Sequence, residues 1–60
     1  MKHELLKFEG WLGNVVLLEY GHGSYEVEAY WRPSDCRKIL IKTQDLALAQ
    51  AVYFRAMDNL

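Results

Sequence analysis

The sequence predicts an α+β fold: a four-stranded antiparallel β-meander followed by one C-terminal α-helix packed on one sheet face (ββββα). Three observations carry this. Turn-forming residues cluster at Gly13-Asn14, Gly21-His22-Gly23-Ser24 and Arg32-Pro33-Ser34-Asp35. They separate four short runs rich in β-branched, aromatic and aliphatic residues. After Thr43 the apolar period changes to that of a helix. No repeat, low-complexity tract or linker divides the 60 residues, so residues 1–60 are expected to form a single small domain.

The strands are expected at residues 4–11, 15–20, 25–31 and 37–42. In the helix Leu46, Ala49, Tyr53, Met57 and Leu60 recur on one face, with Thr43 as the cap, Asp45 in the first turn and Arg55 near the end. Side-chain parity then sets the register, since a slip of one residue turns a whole strand over. Pairing Tyr20 with Tyr25 places Leu18 opposite Val27 and Val16 opposite Ala29. A five-residue loop from Arg32 to Cys36 sets Ala29 opposite Ile39 and Val27 opposite Ile41, whereas a four-residue loop would set Ala29 against Lys38. A three-residue loop Leu12-Gly13-Asn14, with a bulge, sets Phe8 opposite Leu18 and Leu6 opposite Tyr20. The expected core face is Leu6, Phe8, Val16, Leu18, Tyr20, Tyr25, Val27, Ala29, Trp31, Ile39 and Ile41.

That register leaves an aromatic strip on the other face. One row there would hold Trp11, Val15, Tyr30 and Lys38, and the next Glu9, Leu17, Glu28 and Leu40. An apolar patch rimmed by charge is the usual mark of a protein contact, and tryptophan and tyrosine are favoured anchors in such contacts. The expected partner-binding residues are therefore Trp11, Val15, Leu17, Tyr30, Lys38 and Leu40. The competing reading is that Trp11 and Tyr30 pack only on each other and on the Lys38 stem. On the helix, Leu48 and Phe54 project on opposite flanks, and either is a candidate homodimer contact.

Chemical motifs are sparse. His3, His22 and Cys36 lack metal-ligand spacing. His22, Ser24 and Asp35 are triad residue types, but the meander puts them at opposite ends of a hairpin. Glu19 and Glu26 are expected face to face, flanked by Lys7 and Lys42 as a neutralised ladder. Gly21-His22-Gly23 lacks the strand-to-helix setting of a phosphate loop. No catalytic constellation, cofactor or metal site is expected.

Seven basic and eight acidic side chains give a net charge of -1, which supplies no general attraction to nucleic acid or anionic membrane. A single cysteine excludes an internal disulfide, and no apolar run is long enough for a signal peptide or membrane span, so a cytoplasmic protein is expected. With 52% apolar residues the chain is too hydrophobic for a disordered tail. The functional expectation is a stand-alone module that binds another protein stoichiometrically, as inhibitor, adaptor or small subunit. A phage or mobile-element inhibitor of a host system, such as an anti-CRISPR protein, fits that class. The alternative is a single-stranded nucleic-acid-binding domain, with Trp11 and Tyr30 stacking on bases and Arg32, Arg37, Lys38 and Lys42 along a basic edge. Glu9, Glu19, Glu26 and Glu28 on the same face rank it below protein binding.

Overall fold

The four strand-forming runs extend as β1 (Lys2–Glu9), β2 (Gly13–Tyr20), β3 (Ser24–Trp31) and β4 (Cys36–Thr43), and the helical period becomes α1 (Leu46–Met57). This is a computed structural model describing residues 2–60. The strands form one antiparallel sheet in the order β1-β2-β3-β4, and α1 packs on one face over β2, β3 and β4. The ββββα fold is the one the sequence predicts.

The register of β2 differs from that expectation by one residue. Leu17 pairs with Val27 and Val15 with Ala29, so the expected Leu18–Val27 and Val16–Ala29 pairs do not form. The turn is the cause. Tyr20 pairs with Ser24, leaving a three-residue loop in which Gly23 adopts φ 83° and donates its N–H to the Tyr20 carbonyl at 3.1 Å. A glycine in the left-handed region closes such odd loops, and the odd count turns β2 over. Val16, Leu18 and Tyr20 consequently face away from the helix.

The same parity runs through the neighbouring strands. Phe8 pairs with Val15 and Leu6 with Leu17, in place of the expected Leu18 and Tyr20, and a bulge at Leu5 shifts the register below them. Trp11 lies outside β1, at the tip of a tight turn closed by Gly10 N–H to Gly13 carbonyl at 2.8 Å. Gly13 is obligatory there, because a Cβ would overlap the Tyr30 carbonyl. Between β3 and β4 the shorter loop forms: Trp31 pairs with Cys36 and Ala29 with Lys38. A bulge at Leu40 then restores the expected Val27–Ile41 pair, while Ile39 falls opposite Glu28 on the open face instead of opposite Ala29.

The core is small. Val15, Leu17 and Val27 from the sheet meet Ala49 and Tyr53 from the helix, with Phe8, Tyr25, Ile41, Val52, Met57 and Leu60 packed around them. The N-cap is Asp45, whose carboxylate accepts the Leu48 N–H at 3.3 Å, and Thr43 instead accepts the Asp45 N–H at 3.0 Å. Both edge strands carry a bulge and cations, Lys2 and Lys7 on β1 and Arg37, Lys38 and Lys42 on β4. Those devices discourage edge-to-edge strand pairing.

Candidate functional site: the tryptophan end

The β1–β2 turn holds Trp11 out into solvent at 88% exposure, on a backbone that is itself tied down. Arg32 Nη1 donates to the Trp11 carbonyl at 3.0 Å, the Arg32 N–H donates to the Leu12 carbonyl at 2.8 Å, and the Leu12 N–H donates to the Leu60 carbonyl at 3.3 Å. Two other parts of the chain thus brace this turn, the β3–β4 loop and the residues beyond α1. Trp31 ends β3 beside it, opposite Gly13, and is 40% exposed. Both tryptophans of the chain therefore sit at one end of the sheet.

Three depressions lie at this end, two of them sharing walls. A trough of about 470 Å³ runs between α1 and β4, walled by Ala29, Trp31, Leu40, Val52, Ala56 and Leu60, with Arg55 and Asn59 on its margin. A second depression of about 360 Å³ lies among Trp11, Leu12, Arg32 and Pro33. A third, of about 260 Å³, shares Ala29, Trp31, Leu40 and Leu60 with the trough and adds Tyr30, Ser34, Cys36 and Lys38.

The six residues expected to form a continuous strip are divided by the observed register. Val15 and Leu17 are sealed in the core and present no surface. Tyr30 lies on the open sheet face between Asn14 and Arg37, and its hydroxyl donates to Asp35 Oδ1 at 2.7 Å. That hydrogen bond, with some desolvation, pushes the Tyr30 phenol above its ordinary pKa. Lys38 and Leu40 border the helix side of β4, where the trough brings them near Trp31. Strand parity puts Trp31 on the core face. Its place as the last residue before a turn was the signal that it stands at a margin.

The remaining sequence candidates are also placed. Leu48 and Phe54 are both exposed, and Phe54 meets Tyr53 edge to face at 5.2 Å. Arg37 and Lys42 lie on the open face, Lys38 opposite Ala29 on the helix side, and Arg32 in the turn against Trp11, so the four cations do not make one track. Glu19 and Glu26 do not face each other. Glu19 pairs with Tyr25, whereas Glu26 lies between Leu18 and Lys42 on the opposite face.

Glu26 heads a separate depression of about 490 Å³ at the far end of the sheet, lined also by Tyr20, His22, Ser24, Lys42 and Gln44. It is 4% exposed, accepts the Tyr20 hydroxyl at 3.1 Å and lies 3.9 Å from Lys42 Nζ. Desolvation and then the bond to Glu26 raise the Tyr20 phenol pKa, and His22 stacks on the Tyr20 ring with centroids 6.0 Å apart. His22 and Ser24 lie at one end of β3 and Asp35 at the other. Among the described residues, no three His, Cys, Asp or Glu side chains are grouped to hold a metal ion.

Among the described residues, no helix is long and apolar enough to cross a membrane. No family model, curated protein or solved structure matches the chain.

Proposed function

We propose that this domain is a protein-binding module, acting stoichiometrically and without chemistry of its own, whose contact surface is the tryptophan end. The observation that carries this is Trp11, an indole 88% exposed on a turn whose backbone is held by three hydrogen bonds to other parts of the chain. A tryptophan so held brings large contact area at little cost in rotamer entropy, and central aromatic anchors dominate interface energetics. Trp31, Leu40 and Lys38 extend the surface along the trough, and Tyr30 borders it at the β3–β4 loop. Inhibitor, adaptor and small subunit are all roles such a module serves. The cytoplasm suits it, since Cys36 is an exposed free thiol that a reducing compartment preserves.

The test is affinity capture from a lysate of the source organism on the immobilised chain and on Trp11→Ala, with mass spectrometry and nucleic-acid analysis of the eluates. The reading expects a protein retained in fixed ratio by the native chain and lost from the variant. Equal capture by both would overturn it. Recovery of nucleic acid in place of protein would favour the lower-ranked alternative, base stacking on Trp11 beside Arg32.

Self-association is a second reading with its own observation. Because α1 leaves β1 largely uncovered, Leu6, Leu46 and Phe54 remain partly exposed on the helix side. Exposed apolar side chains of this kind can meet their own copy across a two-fold axis. The flank bearing Phe54 is therefore the proposed homodimer contact, in preference to Leu48 on the other side of the helix.

A further inference from the structure

The charged side chains lining the depressions at the tryptophan end are all of one sign. The chain as a whole carries -1, with eight acidic side chains. Yet the three depressions at this end include Arg32, Lys38 and Arg55 among their lining residues and no aspartate or glutamate. Among the described residues none of these cations enters an ion pair, whereas Lys7 pairs with Glu9 and Lys42 with Glu26. Asp35, in the neighbouring loop, accepts the Tyr30 hydroxyl. Negative charge nearby comes from the Leu60 carboxylate, from Asp58 just past α1 and, by roughly half a charge, from the α1 C-terminus, while the charged side chains that line the depressions are all cations. Exposed indole, aliphatic trough and unpaired cations are thus collected in one place.

We propose that this end receives an acidic peptide segment of a partner protein. The inference rests on the protein-binding reading and adds the chemistry of the partner. Apolar side chains of the segment seat in the trough and against Trp11, while its carboxylates lie beside Arg32, Lys38 and Arg55. Complementary charge of this kind speeds association and rejects wrong partners. A nucleic-acid strand fits less well, because Leu40, Val52, Ala56 and Leu60 give the trough aliphatic walls where bases would need aromatic planes. A second copy fits less well too, since two-fold contact through this surface would set the same cations against one another.

The experiment selects random displayed peptides on the immobilised full chain, on Trp11→Ala, and on the charge-reversed Lys38→Glu/Arg55→Glu variant, each checked for native circular dichroism. The native chain is expected to recover peptides with Asp and Glu around Leu, Phe or Trp. Their affinity should fall on the order of tenfold or more in Trp11→Ala, as for a central aromatic anchor, and should weaken with salt. The charge-reversed variant should instead recover peptides rich in Lys and Arg.

Trp11-dependent peptides without acidic enrichment would overturn this inference and leave the protein-binding reading standing. Failure to recover any Trp11-dependent peptide would overturn both. Titration with single-stranded oligothymidylate, followed through Trp11 emission in Trp31→Phe, supplies the last arm: tight binding there would assign the end to nucleic acid and overturn both.

Discussion

Leu17 and Leu18 stand next to each other in β2 and point to opposite faces of the sheet. Leu17 is fully buried against Val27, Ala49 and Tyr53, whereas Leu18, 6% exposed, lies between Glu4 and Glu26 outside that cluster. Leu17→Ala should therefore leave a cavity in the core and cost about 2–5 kcal/mol, enough to unfold much of a small domain. Urea denaturation checks this, and a loss below about 0.5 kcal/mol would place Leu17 outside the core. A tyrosine prediction belongs to the same scale. Tyr20, Tyr30 and Tyr53 all have phenol pKa values raised above 10.0, Tyr20 and Tyr53 chiefly by desolvation and Tyr30 chiefly by its bond to Asp35. A phenol whose pKa is raised by folding stabilises the fold while protonated. Its contribution is complete below pH 10.0 and is lost as pH rises through the folded value. Thermal midpoints should thus show no tyrosine-linked change up to that pH and fall above it, with the fall reduced in Tyr30→Phe. A midpoint that rises with alkaline pH would reverse the assignment.

Strand existence and order were legible because Gly, Pro, Asn, Asp and Ser mark every reversal of the chain, and the helix was legible from its period. Loop parity was less so. Whether the β2–β3 loop held three residues or four depended on Gly23 alone entering the left-handed region, while Gly21 and Ser24 offered other closures of similar chemistry. The β3–β4 loop misled in a different way, because a four-residue loop plus a bulge at Leu40 gives Ile41 the same partner as the five-residue loop that parity favoured. The aromatic strip inherited the error in β2, so Val15 and Leu17 moved inside. Trp11 and Tyr30 stayed exposed or half-exposed because a turn tip and an outward β3 position do not depend on that choice. Gly23→Ala tests the turn. Nothing lies near the added Cβ, so the cost is backbone strain alone, about 1–2 kcal/mol. Gly13→Ala must displace the Tyr30 carbonyl and should cost more. Equal and negligible effects on the urea midpoint would contradict the turn geometry.

As a whole the molecule commits one sheet face to a small core and leaves its ends and flanks to do the rest. A bulge and cations on each edge strand disfavour association by strand addition, so contacts are expected through side chains. Two such surfaces stand apart: the helix flank with Phe54, at 49% exposure, and the tryptophan end lined by Arg32, Lys38 and Arg55. If the flank pairs copies, the thermal midpoint should rise with protein concentration, and Phe54→Lys should remove that dependence. Sedimentation equilibrium showing a monomer into the high micromolar range would exclude the dimer.

Stability and partner affinity measured on Trp11→Ala decide whether Trp11 acts in recognition and contributes little to folding. An exposed side chain should change unfolding free energy by less than about 0.5 kcal/mol, whereas an anchor should weaken binding by about 2 kcal/mol or more. A variant that folds as the native chain does and fails to bind is the predicted result. Native affinity for the captured partner, retained without Trp11, would contradict the account.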